Sequence, residues 1–209
     1  MDKIAVLALA AVRERFPQAV VETIDYRDEQ TIVLKPEHLL AVCDYLKRQQ
    51  GYTFLVTITA VDWPERTPRF DIVYHLLCIQ QQSVLRLKVC VGARGEEHPA
   101  APTATRIWPA ANWYEREVYD LFGITFTGHP NLRRIMMPHD WTTHPLRKDY
   151  PLSGFDLPEP HWGGQVPYDT DPGAGVGNQT LRTAGGRELN ESRSTISETQ
   201  EPGTIKGRE

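Results

Sequence analysis

Ser83-Val84-Leu85-Arg86-Leu87-Lys88-Val89-Cys90-Val91 alternates without a break: Leu85, Leu87, Val89 and Val91 fall on one side, Arg86, Lys88 and Cys90 on the other. A period of two over nine residues predicts a strand with one buried face and one face that is wet or turned to a partner. Just upstream, Phe70–Ile79 has the composition of a second strand, and only Gln80-Gln81-Gln82 separates the two, which suits an antiparallel hairpin. Further back, Tyr52–Val61 is rich in β-branched and aromatic residues and predicts a third strand. Ala19–Asp25 and Gln30–Lys35 form a strand pair across the polar turn Arg27-Asp28-Glu29.

Two helices punctuate these strands. Ile4–Val12 is apolar, with Ile4, Leu7, Ala8 and Ala11 assigned to one face. Pro36 opens a second helix that runs to about Gln50, with Leu39, Leu40, Cys43, Leu46 and Lys47 tracing one face and Gly51 closing it. The order α-β-β-α-β-β-β predicts an α+β domain with a largely antiparallel sheet and helices on one face. Gly92–Pro109, with three prolines, is expected to be a connector. Asn112 then supplies an N-cap, Glu115 completes a capping box, and the third helix runs to Phe122 and stops at Gly123. Tyr114, Val118, Leu121 and Phe122 would face the sheet. The chain divides accordingly into an α+β domain (1–111), a helix-and-turn region that completes it (112–152), and an extended C-terminal arm with a disordered-looking tail (153–209).

Charge supports the division. Residues 1–150 carry 18 acidic and 18 basic side chains; residues 151–209 carry 9 and 5. A neutral body with an acidic tail has no clustered basic face of the kind nucleic acid requires. Ten of the fifteen glycines lie beyond Ser153 and no aromatic follows Tyr168. Residues 170–209 therefore lack the apolar surface to offset an ordering cost of roughly 1–2 kcal/mol per residue. Phe155, Trp162 and Tyr168 make 153–169 a candidate arm that orders on a partner. The apolar run behind Lys3 is preceded by Asp2 and followed by Arg13-Glu14-Arg15, which fits an ordinary helix rather than a signal peptide. No stretch reaches the ~18 apolar residues of a membrane span.

The densest run of chemistry is Glu115-Arg116-Glu117-Val118-Tyr119-Asp120-Leu121-Phe122-Gly123, then Gly128-His129-Pro130, Arg133-Arg134, Asp140-Trp141 and His144-Pro145-Leu146-Arg147-Lys148-Asp149-Tyr150-Pro151-Leu152. Seven of the nineteen aromatics lie between Trp113 and Tyr150, beside five acidic and five basic residues. Aromatics and arginines on proline-fixed turns are the composition of a protein interface. This block resembles the signature of the 30-kDa subunit family of respiratory complex I, the proton-pumping NADH:quinone oxidoreductase. The resemblance implies a subunit of the peripheral arm, on the cytoplasmic side of the cell membrane. It would be packed on the large quinone-site subunit and beside an Fe–S subunit, with no catalytic residue and no cofactor of its own. FMN and Fe–S clusters would sit in partner chains. Equivalent subunits of a ferredoxin-fed complex I or of a membrane-bound hydrogenase are alternatives within the same superfamily.

The residues themselves agree with a chain that lacks a redox centre. Cys43, Cys78 and Cys90 are far apart, whereas a cluster takes about four Cys ligands, several closely spaced. Gly173, Gly175 and Gly177 mimic a nucleotide loop without the flanking strand and helix. His129, His139 and His144 lie within sixteen residues, and a stand-alone metal hydrolase is the distant alternative they raise. Two of them sit in His-Pro turns and no Cys accompanies them, so turn and capping hydrogen bonds are the better account. Glu115, Glu117 and Asp120 could form an acid–base pair, but Glu115 is assigned to the cap and Asp120 to an i, i+4 pair with Arg116. The expected partner interface comprises Arg133, Arg134, Asp140, Trp141, His144, Arg147, Lys148, Asp149, Tyr150, Phe155 and Trp162. For the basic pairs two roles stay open: bidentate contacts with carboxylates of a neighbouring subunit, or clamps on Asp140 and Asp149 within the chain.

Overall fold

The computed structural model describes residues 3–93, 95–138 and 141–151. These fall in one unit, Met1–Phe155. Asp140, Phe155, Trp162 and the whole 153–209 arm and tail lie outside the described residues, as does His139.

The elements run α1 (Lys3–Arg15), β1 (Val20–Tyr26), β2 (Glu29–Leu34), a 3-10 turn (Pro36–His38), α2 (Leu39–Gln49), β3 (Phe54–Asp62), β4 (Phe70–Cys78), β5 (Ser83–Val91), β6 (Ala100–Pro102), α3 (Ala111–Phe122) and β7 (Thr125–Thr127). The main sheet has the order β1-β2-β5-β4-β3. Its β2–β5 ladder is parallel and the other three are antiparallel, so the α+β expectation holds. β5 sits at the centre because it buries one full side. Leu87 pairs with Ile32 and Tyr74, and Tyr74 pairs with Ile58, which makes a buried row across four strands. Its out-facing neighbours form a polar row, Thr31–Arg86–His75–Thr57. The buried faces of α1, α2 and α3 join the inner row in a single core.

Several local expectations change. The β1–β2 loop has two residues, Arg27 and Asp28, both left-handed at φ 54° and 66°, and Glu29 already pairs with Tyr26. Positive φ at both loop positions is the turn whose twist matches a hairpin, which is why the loop tightens around non-glycine residues. In α1 the buried residues are Ala5, Ala8 and Val12, while Leu7 is 68% exposed. A run apolar at nearly every position carries no phase, and the alanines are the side chains small enough to let the helix approach the sheet. The second helix begins only at Leu39, after the 3-10 turn that Pro36 opens, and buries Val42 rather than the 38% exposed Leu40. Part of the supposed connector is a strand, since β6 pairs in parallel with β7, Ala101 opposite Phe126. Three-residue strands containing Pro102 show no alternation to read.

The third helix has no capping box. It starts at Ala111 behind Ala110, without a side-chain cap. The amides of Ala111, Asn112 and Trp113 already donate to the carbonyls of Trp108, Pro109 and Ala110. A chain that enters through a tight turn leaves no orphan N–H for Asn112, and Glu115 is free to turn inward. Its far end is as expected: Gly123 is left-handed at φ 73° and donates to the Tyr119 carbonyl at 2.9 Å.

Candidate subunit interface

Helix α3 buries three ionisable side chains, Glu115, Arg116 and Asp120; the segment that follows it meets Arg116 and Asp120, and the 103–104 segment before it meets Glu115. Asp120 is fully buried. Its carboxylate accepts from Arg134 Nη1 at 2.6 Å and from the amides of Ile135, Met136 and Met137 at 3.0, 2.7 and 2.9 Å. Burial alone would raise its pKa. The Met137 amide, the Arg134 guanidinium and the other two amides outweigh that and hold it below the usual carboxylate range.

The carbonyls at the end of α3 are capped in turn. Asp120 O accepts from His144 Nδ1 at 2.9 Å and Arg134 Nη1 at 3.1 Å, Leu121 O from the Leu146 amide at 3.0 Å, and Phe122 O from Arg147 Nε at 2.6 Å. Two guanidinium groups thus lie at the negative end of the helix dipole. Arg147 also donates to the Glu97 carbonyl at 2.8 Å and lies over the Phe70 ring. A Cβ on Gly123 would fall 2.5 Å from Arg147 Nη2 and from the His144 ring, so this glycine is required for space as well as for φ. Arg116 reaches the opposite way, to the carbonyls of Arg133 (3.1 Å) and Arg134 (3.3 Å), with its guanidinium 5.0 Å from the Trp113 ring.

The C-terminal turn is fastened to the sheet by a second carboxylate. Asp62, at the end of β3, takes both arms of Arg69 at 2.6 and 2.7 Å and the Lys148 amide at 2.8 Å. Arg69 then reaches Asp149 at 2.9 Å. Burial works against the Asp62 charge, but Arg69 and the Lys148 amide keep its pKa low. The structure therefore answers part of the clamp-or-partner question: Arg134 clamps Asp120, Arg147 clamps carbonyls, and Asp149 is held by Arg69. The i, i+4 role assigned to Arg116 gives way because Asp120 is met by the 134–137 loop. Of the expected set, Trp141, His144 and Tyr150 are half-buried, and Lys148 and Asp149 are exposed.

Asp62 and Arg69 hold the C-terminal turn to the sheet, and the Thr103 hydroxyl bonds Glu115 of α3, yet no motif in the chain points to them. Asp62 does leave a signal. It shares the inner side of β3 with Ile58 and Ala60, and a carboxylate in an apolar row is rarely there without a partner. On the outer face Asp71 is similarly enclosed by Trp63 Nε1 at 3.1 Å, Cys90 Sγ at 3.2 Å, Lys88 at 3.7 Å and Arg66. Burial and this carboxylate push the Cys90 thiol up to about 11. Exposed apolar side chains flank the network: Met136 is 64% exposed, Trp113 63% and Leu146 49%.

The sequence pattern of one family, described as "Respiratory-chain NADH dehydrogenase, 30 Kd subunit", matches residues 32–156. The chain belongs to that family. It is similar to the C subunit of NADH-quinone oxidoreductase from Geotalea uraniireducens (strain Rf4), 44% identical over 156 residues, which cover 75% of this chain and 93% of that protein. The C subunit from Roseiflexus sp. (strain RS-1) is 42% identical over 151 residues, 71% of this chain and 85% of that one. Among solved structures, a trypsin-resistant fragment of Nqo5 superposes with a TM-score of 0.52 at 34% identity, covering 60% of this chain and 99% of the fragment. A chain of the membrane-bound sulfane sulfur reductase, an archaeal respiratory membrane complex, does so with a TM-score of 0.60 at 25% identity, covering 70% and 85%. The 30-kDa subunit family is thus matched from within β2 through the tied segments after α3, and with it comes membership of NADH-quinone oxidoreductase, complex I of the respiratory chain.

Proposed function

We propose that the chain is a non-catalytic structural and assembly subunit of the peripheral arm of proton-translocating NADH:quinone oxidoreductase. It packs on the large subunit that forms the quinone site and lies beside an Fe–S subunit, on the cytoplasmic side of the membrane. FMN and Fe–S centres in other chains carry electrons from NADH to quinone. The observation that carries this reading is the fate of the signature's charges. Glu115, Asp120, Arg134 and Arg147 are each engaged by groups of this same chain, so the block builds a rigid shape instead of presenting reactive side chains. That shape displays Met136 and Leu146. Exposed apolar side chains on a rigid frame suit a surface that a neighbour completes. Cys43, Cys78 and Cys90 sit on α2, β4 and β5, an arrangement unsuited to holding a cluster. Among the described residues no helix is long and apolar enough to cross a membrane, so membrane attachment would come through partners.

The test exploits the division between inner ties and outer display. Reversing Arg147 would damage the domain itself, so the informative variant is Met136→Asp combined with Leu146→Asp. The free chain should keep its circular dichroism and unfolding midpoint, while assembled, NADH-oxidising complex in membranes falls at least about tenfold, the equivalent of ~1.4 kcal/mol. Normal amounts of active complex would defeat the proposal. A second reading, the equivalent subunit of a complex fed by another donor such as ferredoxin, draws on the likeness to the sulfane sulfur reductase chain. The subunits that co-purify with a tagged chain distinguish the two.

A further inference from the structure

Glu115 lies five residues before Asp120 on the same helix and is just as buried, yet it is treated in the opposite way. Its Oε1 accepts the Ala104 amide at 2.7 Å and its Oε2 meets the Thr103 hydroxyl at 2.5 Å. No cation lies among these partners. Thr103 Oγ1 also accepts the Thr105 amide at 3.2 Å and stands 3.0 Å from Thr105 Oγ1, and Thr105 is partly exposed.

We infer that Glu115 is a proton-binding site, loaded from solvent through the hydroxyls of Thr105 and Thr103, and that its occupancy sets how firmly α3 is held to the 103–105 segment. The geometry permits two complete hydrogen-bond arrangements. With the carboxylate ionised, Thr103 donates to Oε2 and accepts the hydroxyl and amide of Thr105. With it protonated, Oε2–H donates to Thr103, and Thr103 turns its own hydrogen to Thr105 Oγ1. One proton enters from water at Thr105, each hydroxyl passes one hydrogen inward, and one proton ends on Oε2. Oε1 accepts the Ala104 amide in both states, and no heavy atom has to move. Both lone pairs of Thr103 are used in each arrangement, so neither state leaves a buried orphan.

The groups facing Glu115 do not fix its charge. Cys43 on α2 and Tyr74 on β4 are buried, and burial first, then the Glu115 charge, raises both, so they stay protonated. His129, after β7, places Nε2 4.0 Å from Oε2, but that nitrogen lies 3.2 Å from the Asn112 carbonyl, while Nδ1 accepts the Asn131 amide at 3.0 Å. A bare Nδ1 means a neutral ring, and burial lowers its pKa further. On α3, Arg116 is directed at the carbonyls of Arg133 and Arg134. At the end of β3, Asp62 is taken by Arg69. Desolvation therefore outweighs the two donors and lifts Glu115 to about 7. A folded-state value above the unfolded one means that the stabilisation is complete below the ordinary value of 4.5 and is lost as pH rises through about 7. This inference stands whether or not the partner reading holds.

The experiment is NMR of the full chain carrying ¹³C-carboxyl-labelled glutamate and ¹⁵N amides. The Glu115 carboxyl carbon and the Ala104 amide should titrate together with a midpoint near 7. Glu115→Gln should abolish the amide transition and flatten the fall of the unfolding midpoint over that range. His129→Gln should leave the Glu115 transition in place. Thr105→Val removes a hydroxyl that donates to Thr103 in the ionised state and accepts from it in the protonated one; an orphaned buried donor costs more than an unused lone pair, so the midpoint should move down. A Glu115 carboxyl carbon that does not titrate between about pH 5.5 and 8.5 would overturn the assignment. So would an Ala104 transition that survives Glu115→Gln, and a midpoint unmoved by Thr105→Val would overturn the hydroxyl route.

Discussion

Strand β5 buries Leu85, Leu87, Val89 and Val91, whose only requirement is a fitting neighbour, whereas α3 buries Glu115, Arg116 and Asp120, each of which needs particular atoms at particular distances. Burial of an aliphatic side chain contributes about 1.5–3 kcal/mol and depends on area and volume. A buried carboxylate contributes only if its donors are present, and removing one partner of such a pair costs about 3–5 kcal/mol. The two regions should therefore respond differently to substitutions of the same small size. The sheet is tolerant because its terms are spread over many contacts. The segment after α3 has almost no regular structure of its own and is held by a few hydrogen bonds to side chains and helix-end carbonyls.

The largest expected effect is at Asp120. Asp120→Asn keeps the volume but places an NH₂ among three backbone amides and leaves Arg134 without its counter-charge. It should cost about 3–5 kcal/mol in chemical denaturation. The control is Leu87→Met, also nearly volume-conserving, which should cost less than about 1.5 kcal/mol. Equal losses from the two would erase the distinction between the regions. A pH series sharpens it. The folded-state pKa of Asp120 lies below its ordinary value of 3.8, so its ties are complete above that pH and are lost as pH falls through the lower folded value. Asp120→Asn should remove that part of acid unfolding while Leu87→Met keeps it.

The same distinction explains what the sequence discloses. The alternation in Ser83–Val91 determines both faces of β5, and the structure pairs every residue of that strand with β4. Gly123 as the end of α3 is equally legible, because the left-handed position has a compositional signature. The phase of α1 is not, since a run apolar on all sides fits any rotation. The partners of Asp120, Asp62 and Glu115 are hidden for another reason. Arg134, the Lys148 amide and Thr103 lie 14, 86 and 12 residues away in the chain. Local patterns propose near neighbours such as Arg116 for Asp120, or a capping box for Glu115, and tertiary contacts overrule them. Short strands such as β6 and β7 likewise exist because α3 returns the chain to a place where they can pair.

An intermediate effect is expected at Gly123, where the two regions meet. Any Cβ there incurs the left-handed backbone penalty, roughly 1–2 kcal/mol. It must also displace Arg147 and His144, which lie 2.5 Å from where it would sit. Gly123→Ala should thus lower the unfolding midpoint and loosen the 144–151 turn, seen as faster hydrogen exchange at the Leu146 and Lys148 amides, which bond the Leu121 carbonyl and Asp62. A destabilised variant whose exchange at those two amides is unchanged would show that the helix end and the turn are not coupled.

The smallest effect should come from a charge pair that resembles the buried ones in geometry but not in setting. Arg48 Nε lies 2.7 Å from Asp44 Oδ1, as short as the bonds to Asp120, yet the side chains are 75% and 48% exposed. They occupy i and i+4 on α2, where solvent screens the attraction and ordering two long side chains offsets much of it. Such pairs contribute about 0.3–0.5 kcal/mol. Arg48→Ala should therefore shift stability by no more than ~0.5 kcal/mol at low salt, and by less as ionic strength rises. If instead it cost as much as Asp120→Asn, the geometry of a pair would count for more than its burial, and the contrast between sheet and signature would have to be explained by bond length alone.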